Sequence, residues 1–386
     1  MSCPTQSLNQ SINTTTTTTT TTKMSPSTTN PESSPLHTYY FSMVEMSIMK
    51  LFLDHKIFTL IPTTPGASIP VTTLTTTLNA SPSLLTRLTN FLIASGVLSS
   101  PQPGHIAHTP KSLQFTDPTS YQALFFAHIF DFFLVPAVKW PGYMAEHGLN
   151  EPTSASRTPF GYAAGYPDKT LYEILETMPK RAAQFNATMA ASFQPMPVLG
   201  MYDFSWIEKL ADEERMAIVD VGGGKGQALK EILGAYPGIR PEQCVLFDVE
   251  DVIREAVAEA ERDDNETWRT VRKIPGSFFS EQPVKGAAVY HIRRVLNDWP
   301  DEDCVTILRR VRDAAAPDSR VLISEQILQE EPSLAVAALD LWMLNFGGKR
   351  RSEGMFEELA QRTGWKVNGV FRDKESDTGV VELVVA

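Results

Sequence analysis

A glycine-rich run near the middle of the chain, Ala217–Gln227 (AIVDVGGGKGQ), constrains the fold more than any other part of the sequence. Strand-favouring residues lead directly into Gly222, Gly223, Gly224 and Gly226, and a helix-forming run follows at once. Glycine permits the positive φ of a tight turn and leaves main-chain N–H groups open to a ligand. The run therefore predicts a strand, a tight turn and a helix that together hold a ligand.

The next strand predicts what that ligand contains. Cys244–Phe247 is strand-like and ends at Asp248, about 20 residues beyond the glycines, where a βαβ unit places an acid that accepts hydrogen bonds from ribose hydroxyls. The ligand is therefore expected to contain a ribose.

The spacing of the glycines selects among ribose ligands. Gly222, Gly224 and Gly226 are spaced evenly by two, whereas the dinucleotide fingerprint places its third glycine three positions after the second. Asp220 precedes the turn, where it would repel a pyrophosphate and attract a cationic amino group. The loop resembles that of S-adenosylmethionine (SAM) enzymes; a nicotinamide site and a purely structural turn are the alternatives.

Composition and charge exclude several classes of partner. The net charge of −11 and the pI near 5.2 do not suit a protein that neutralises phosphates with clustered Lys and Arg. No apolar run reaches the ~18 residues of a membrane span, and no signal pattern begins the chain. Cys3, Cys244 and Cys304 lie far apart, without metal-ligand spacing. We expect a cytoplasmic protein with no nucleic acid, membrane or metal partner.

Two N-terminal regions differ sharply in composition. Residues 1–35 are rich in Ser, Thr, Asn and Pro, including the tract Thr14–Thr22, and predict a disordered tail. Residues 36–115 carry apolar residues at helical spacing, then a helix starting at Ser81 and a hairpin-like wing, which together predict a winged-helix domain. Its recognition helix has one basic residue, Arg87. A homodimerisation role is therefore expected rather than DNA binding.

The next region, residues 116–205, is rich in aromatic residues. Most of them are expected to be core, but they are too many for one helical interface. Together with Met178, Met189 and His128 they predict a helical linker that also walls a pocket for a large apolar ligand. His128 is either a pocket residue or a hydrogen-bonded structural histidine.

Residues 206–386 alternate strand-like and helix-like segments, which predicts a doubly wound α/β sheet. The last two strands flank a polar loop and are expected to pair as an antiparallel hairpin. The expected strands are Met216–Val221, Cys244–Phe247, Gly286–His291, Arg320–Glu325, Lys366–Phe371 and Gly379–Val385.

Six motifs in order carry a resemblance to a known family: Val219–Gly226, Phe247–Asp248, Gly276–Phe279, Arg293–Trp299, Asp301–Cys304 and Gly347–Glu353. They resemble those of fungal and plant small-molecule O-methyltransferases, which have a winged-helix dimerisation domain, and the resemblance spans about Leu36 to Ala386. It implies a class I SAM-methyltransferase Rossmann-like sheet, S-adenosyl-L-methionine as cofactor and a small aromatic or polyketide-derived substrate.

The resemblance implies that the cofactor residues are kept. Asp220, the four glycines and Asp248 stand in the family's positions. Phe278 is expected to stack on the adenine, and Arg293 resembles the family's basic residue beside the cofactor. Ser277 departs from the pattern, since the family usually has an aspartate there.

The implied catalytic residues, in contrast, are altered. Asn297 stands where the family has the histidine that removes the substrate proton, and an amide has no pKa suited to this task. Glu325 keeps the first of two glutamates that flank this histidine, but Arg350 replaces the second.

Three functions are compatible with this pattern. The first is a non-methylating SAM-bound cyclase that resembles the pericyclase branch of the family. Asn297 and Arg350 would polarise its substrate, Asp298 would be an orienter and acid–base group, and His128 a proton donor. The second is a working O-methyltransferase in which an acidic substrate, a water or Glu325 compensates for the lost base. The third is a non-enzymatic SAM-binding dimer.

Overall fold

The computed structural model describes residues 35–191, 196–210, 212, 214–262 and 266–386. The predicted tail, residues 1–35, lies outside the described residues except for Pro35, where the first helix begins.

The first part of the chain combines helices with a small sheet. Ser81 caps one helix by accepting a hydrogen bond from the Leu84 N–H over 3.4 Å, with Pro82 in the first turn, as the sequence predicts. Strands β1 and β2 both pair antiparallel with β3, so the expected hairpin is present. The elements are α1 (Pro35–Asp54), β1 (Ile69–Pro70), α2 (Val71–Leu78), α3 (Pro82–Ala94), β2 (Leu98–Ser99), β3 (His105–His108) and α4 (Pro110–Leu113).

The middle of the chain is helical, and one helix changes its winding. Tyr121–His128 is α-helical, Ile129–Leu134 is π-helical, and Val135–Ala137 returns to α-helix. π-Helical segments are rare and often lie at functional sites. The helices are α5 (Tyr121–His128), α6 (Val135–Ala137), α7 (Trp140–His147), α8 (Pro159–Ala164), α9 (Leu171–Glu176) and α10 (Pro179–Ala191).

The last part of the chain forms a seven-stranded sheet in the order β6-β5-β4-β7-β8-β10-β9. The first five strands are parallel, and β10 runs antiparallel to both of its neighbours. This mixed sheet is the class I SAM-methyltransferase sheet that the sequence predicts. The strands are β4 (Ile218–Val221), β5 (Cys244–Asp248), β6 (Arg272–Pro275), β7 (Val289–Arg293), β8 (Arg320–Gln326), β9 (Trp365–Arg372) and β10 (Thr378–Val385).

Apolar side chains on both faces of the sheet pack beneath amphipathic helices. All four residues of β4 are buried, as expected for a strand covered on both faces, and three of them are apolar, the exception being Asp220. One strand, β6, was not predicted, because Arg272–Pro275 is a polar segment at the sheet edge. The helices are α11 (Gln227–Ala235), α12 (Glu250–Arg262), α13 (Glu266–Thr270), α14 (Asp301–Ala314), α15 (Leu334–Leu344) and α16 (Glu353–Arg362).

In the part of the chain that the structure describes, no single helix is long and apolar enough to cross a membrane. Two consecutive helical segments, Tyr121–Ala137 and Trp140–His147, are bent by 41° relative to each other. Together they have the length and composition of a membrane span, which is the whole of that similarity.

Candidate active site and cofactor cleft

The glycine loop between β4 and α11 adopts backbone conformations that only glycine tolerates well. Gly222, Gly224 and Gly226 have φ of +69°, +60° and +77°. A Cβ on Gly226 would overlap the ring of Trp268, which packs beneath the turn. The loop is thus held close to the protein below and leaves its upper surface open to a ligand.

Asp220 lies at the base of this loop and is almost fully buried, with 1% of its surface exposed. Its Oδ1 is 2.9 Å from Nδ1 of His291 on the neighbouring strand β7. Its Oδ2 has no hydrogen-bond partner among the described residues. A Cβ on Gly223 would overlap this oxygen, so Oδ2 lies directly against the loop.

Asp248, at the end of β5, closes the same cleft. Its Oδ2 accepts a hydrogen bond from the Gly224 N–H over 2.8 Å, and its Oδ1 accepts one from the Val249 N–H over 2.7 Å. Burial raises the pKa of this carboxyl above its usual value. Asp248 therefore fixes the loop as well as presenting an acceptor at the expected ribose position.

Phe278, which the resemblance predicts to stack on the adenine, lies next to the glycine loop, and a Cβ on Gly222 would be 3.5 Å from its ring. Phe278 packs edge-on against Phe279 and Trp299. The Ser277 hydroxyl accepts a hydrogen bond from the Phe279 N–H over 3.3 Å, which shapes this turn.

Arg293, at the end of β7, donates from Nη2 to the Met196 carbonyl over 2.6 Å. Its Nε is buried without a hydrogen-bond partner in the described residues. Burial lowers the pKa of its guanidinium, and Asp220 counteracts that effect. Its guanidinium therefore lies within the field of Asp220 at the base of the glycine loop, and its contact with the cofactor stays a prediction.

These residues fit S-adenosyl-L-methionine. A buried carboxylate oxygen without a partner suits the cationic methionine end, because burying an unpaired charge is costly. The loop's N–H groups, Asp248 and the Phe278 ring suit the rest of the molecule.

A second group of polar residues follows β7 and meets β8. The Asn297 side chain donates from Nδ2 to Oδ1 of Asp298 over 2.6 Å, and its backbone N–H donates to Oε1 of Glu325 over 3.0 Å. A Cβ on Gly348 would overlap the Asn297 carbonyl oxygen, so glycine is required there. The loop that carries Gly348 therefore holds Asn297 in place.

Both carboxyl groups in this cluster have raised pKa values. Burial raises the pKa of Asp298 to about 6, although the charge of Arg294 and the hydrogen bond from Asn297 oppose the shift. Burial raises the pKa of Glu325 to about 7. Two groups that titrate near neutrality thus adjoin the position of the missing histidine.

Arg294 and Arg351 are the arginines whose charges act on this cluster, and Arg350 interacts instead with Asp340 and Asp377. Arg351 is fully buried, donates to the Leu296 carbonyl over 2.6 Å and lowers the pKa of Glu325 by its charge. The Arg350 N–H instead donates to Asp340 over 2.7 Å, and its guanidinium lies in the fields of Asp340 and Asp377. No hydrogen bond among the described residues joins the Arg350 side chain to Asn297, and its Nη1 is buried without a partner there.

His128 lies in an aromatic cluster between α5, α10 and α15. Its ring centroid is 4.6 Å from that of Phe132, 4.9 Å from that of Trp342 and 5.5 Å from that of Phe185. Burial lowers its pKa to about 4, so the ring is uncharged at neutral pH. An uncharged imidazole is a weaker acid than an imidazolium, and the expected role of His128 as a proton donor stays a prediction. Its Nδ1 is buried without a partner among the described residues, and the alternative of a structural histidine stays open.

Next to this cluster is a cavity of about 370 Å³ between the π-helical segment, α8 and α10. Apolar residues including Phe160 and Met178 line it together with Asp131 and Arg181. Asp131 accepts from Gln184 over 3.2 Å and pairs with Lys50 at 3.3 Å. The cavity lies between helices that the sequence predicts to wall a pocket, and its use for a large apolar ligand stays a prediction.

Sequence reasoning missed three residues near the two sites: His291, Arg351 and Tyr172. Tyr172 on α9 is 56% exposed as a whole residue, but partial desolvation of its hydroxyl group raises its pKa, with added contributions from the charges of Asp298 and Asp248. Only His291 gave a usable signal, as a polar residue inside a buried strand next to the strand of Asp220.

Comparisons with known proteins agree with this geometry. A family model described as an O-methyltransferase domain matches residues 145–366. Methyltransferase pynC of Aspergillus niger is 98% identical over 363 residues, which cover 94% of this chain and all of the relative. Methyltransferase fsa4 of a Fusarium species is 49% identical, covering 92% of this chain and 97% of the relative.

Two solved structures share the fold. OxaC, in complex with SAH and oxaline, has a TM-score of 0.76 at 23% identity and covers 90% of this chain and 87% of its own. LepI in complex with SAM has a TM-score of 0.71 at 21% identity and covers 92% of this chain and 90% of its own.

Proposed function

Because this chain belongs to the O-methyltransferase family and has S-adenosyl-L-methionine as its cofactor, we propose that it transfers a methyl group to an acidic hydroxyl of a small aromatic or polyketide-derived metabolite. The chain thus has the fold of SAM-dependent O-methyltransferases and belongs to fungal secondary metabolism. The curated relatives that cover most of its length carry the name methyltransferase, which supports methyl transfer.

The observation that carries this proposal is the Asp298 carboxylate beside Asn297. A general base works best when its pKa lies near the working pH and it reaches the proton it removes. With a pKa of about 6, Asp298 is ionised at neutral pH but still basic enough to accept a proton from a phenol or enol. Asp298 therefore takes the role that Asn297 cannot perform.

Each neighbouring residue has a distinct part in this mechanism. Asn297 orients the Asp298 carboxylate through the 2.6 Å hydrogen bond, and Glu325 holds the Asn297 backbone. S-adenosyl-L-methionine supplies an electrophilic methyl group when bound. Asp298 accepts the proton of the substrate hydroxyl as the oxygen gains the methyl group, so charge does not build up in the cleft. His128, being uncharged, offers a neutral hydrogen-bonding nitrogen in the aromatic cluster.

A second candidate function is the non-methylating SAM-bound cyclase, and the residue Asn297 favours it. The side-chain amide can donate to a substrate carbonyl but cannot remove a proton. In such an enzyme bound SAM would be retained, and SAH would support turnover less well because it lacks the sulfonium charge.

Mass spectrometry separates the two candidates. The purified protein is incubated with SAM and a panel of phenols and cyclic 1,3-dicarbonyl enols. Methyl transfer gives a product heavier by one methyl group and an equal amount of SAH. An isomerised or dehydrated product with SAM unconsumed would contradict methyl transfer and support the cyclase.

A further inference from the structure

We propose that His291 is a positioning residue for the cofactor, which holds the Asp220 carboxylate so that its second oxygen faces the methionine ammonium group. The inference depends on SAM binding and not on the methyl transfer proposed above. Neither the sequence motifs nor the comparisons assign a role to His291.

Asp220 on β4 and His291 on β7 are register partners in parallel strands, so their side chains lie on the same face of the sheet. Both are near the centre of the seven strands, and their side chains are 1% and 3% exposed. Solvent therefore cannot orient the carboxylate, and the Nδ1–Oδ1 contact of 2.9 Å does so instead.

The two oxygens of the Asp220 carboxylate have different surroundings. Oδ1 has its partner in His291, whereas Oδ2 has none among the described residues although it is buried. A buried carboxylate oxygen without a partner is costly, and a cationic ligand would remove that cost. Oδ2 lies against Gly223, where a side chain would overlap it. The free oxygen therefore lies directly beneath the backbone of the glycine loop at Gly223.

A second basic residue, Arg293, lies near Asp220. Arg293 lies two residues after His291, and its charge acts on Asp220. No salt bridge in the described part of the chain joins them, because Nη2 of Arg293 is engaged by the Met196 carbonyl. The charge on Oδ2 is thus not paired with Arg293 and remains beneath the glycine loop.

Two substitutions of similar size test the role of Nδ1. In His291→Asn the amide nitrogen stands near the position of Nδ1, whereas in His291→Gln it stands near the position of Nε2. Affinities are measured by calorimetry for SAM and for 5′-methylthioadenosine, which has the adenine and ribose but no ammonium group. Melting temperatures report on the fold.

We expect His291→Gln to weaken SAM binding about tenfold, and His291→Asn to keep it within about twofold. The affinity for 5′-methylthioadenosine stays unchanged in both, because Asp248 and the loop are intact. Equal SAM affinities in the two variants would overturn the proposal. Equal losses of affinity for both ligands would also overturn the proposal, because the His291–Asp220 pair would then have a purely structural role. Loss of the fold in both variants would overturn it for the same reason. No substrate is used, so the result is independent of methyl transfer.

Discussion

Asn297 donates a 2.6 Å hydrogen bond from Nδ2 to Oδ1 of Asp298. The bond stabilises the charged form of the carboxylate and so limits the rise in pKa that burial causes. Asn297, which cannot act as a base itself, therefore helps to keep Asp298 in the ionised state that a base requires.

Replacing Asp298 with Asn should lower kcat by ~10²–10⁴-fold, the usual contribution of proton-transfer catalysis. SAM affinity measured by calorimetry should change little. Asp313→Asn, on the exposed side of α14, is the matched control. Wild-type kcat in Asp298→Asn would show that the proton goes elsewhere.

Replacing Asn297 with Ala should move the pH–rate profile upward. Asp298 acts as a base in its ionised form, so the wild-type rate should fall as the pH drops through about 6. Without the donor from Asn297 the pKa rises, and the fall begins at higher pH. Initial rates between pH 5 and 9 check this shift. An unmoved profile with a uniformly lower rate would mean that Asn297 only positions substrate.

Replacing Asp248 with Ala should cost about 1–3 kcal/mol of SAM binding free energy. The variant loses the predicted ribose acceptor and the hydrogen bond that fixes the Gly224 N–H. Calorimetric titration measures the loss, with Asp251→Ala as control because the Asp251 side chain is 80% exposed. Undiminished binding would place the ribose elsewhere.

Glu325→Gln should stabilise the fold at alkaline pH. Burial raises the pKa of this carboxyl in the folded protein to about 7 from 4.5, so the folded state holds its proton more tightly than the unfolded state. That contribution is full below pH 4.5 and is lost as the pH rises through 7. Glutamine keeps the oxygen that accepts from Asn297 and has no charge to bury.

Urea unfolding at pH 5 and pH 8 measures the effect. The difference in free energy of unfolding, variant minus wild type, should be on the order of 2 kcal/mol larger at pH 8 than at pH 5. Glu330→Gln, at an exposed position, is the control. A pH-independent difference would contradict the raised pKa.

The chain should form a homodimer through its N-terminal region. The first half of α1 has an exposed apolar surface, with Leu36 72% exposed, Tyr39 75% and Met43 56%. Exposed apolar surfaces of this kind mark protein–protein interfaces. Tyr39→Glu with Met43→Glu should give a monomer with an unchanged melting temperature of the α/β part. Light scattering at micromolar concentration measures the mass, and a monomeric wild type would show that this surface has another use.

The glycine loop and the position of Asp248 were predictable because they depend on local chemistry. Glycines at positive φ, and an acid at the end of the next strand, are visible in the order of residues. The strands around them were equally clear because they are apolar. The edge strand Arg272–Pro275 was not, since it follows no apolar pattern.

The catalytic half depends on distances that the sequence does not contain. Arg350 and Arg351 are neighbours, and only the backbone direction after Gly348 decides that Arg351 lies beside Glu325. The pairing of Asp220 with His291 joins residues 71 positions apart and follows from the strand order. A polar residue in a buried strand is a signal that a partner exists, but it does not identify that partner.

The π-helical segment Ile129–Leu134 has a consequence for how this protein can evolve. A π-turn holds one residue more than an α-turn, so loss of a single codon within the segment would restore a continuous α-helix with Tyr121–His128 in nearly the same rotation relative to Val135–Ala137. Only the residues of the segment itself would change their positions on the helix. A descendant could therefore alter this one stretch of the pocket wall by a deletion while the helices on either side keep their packing.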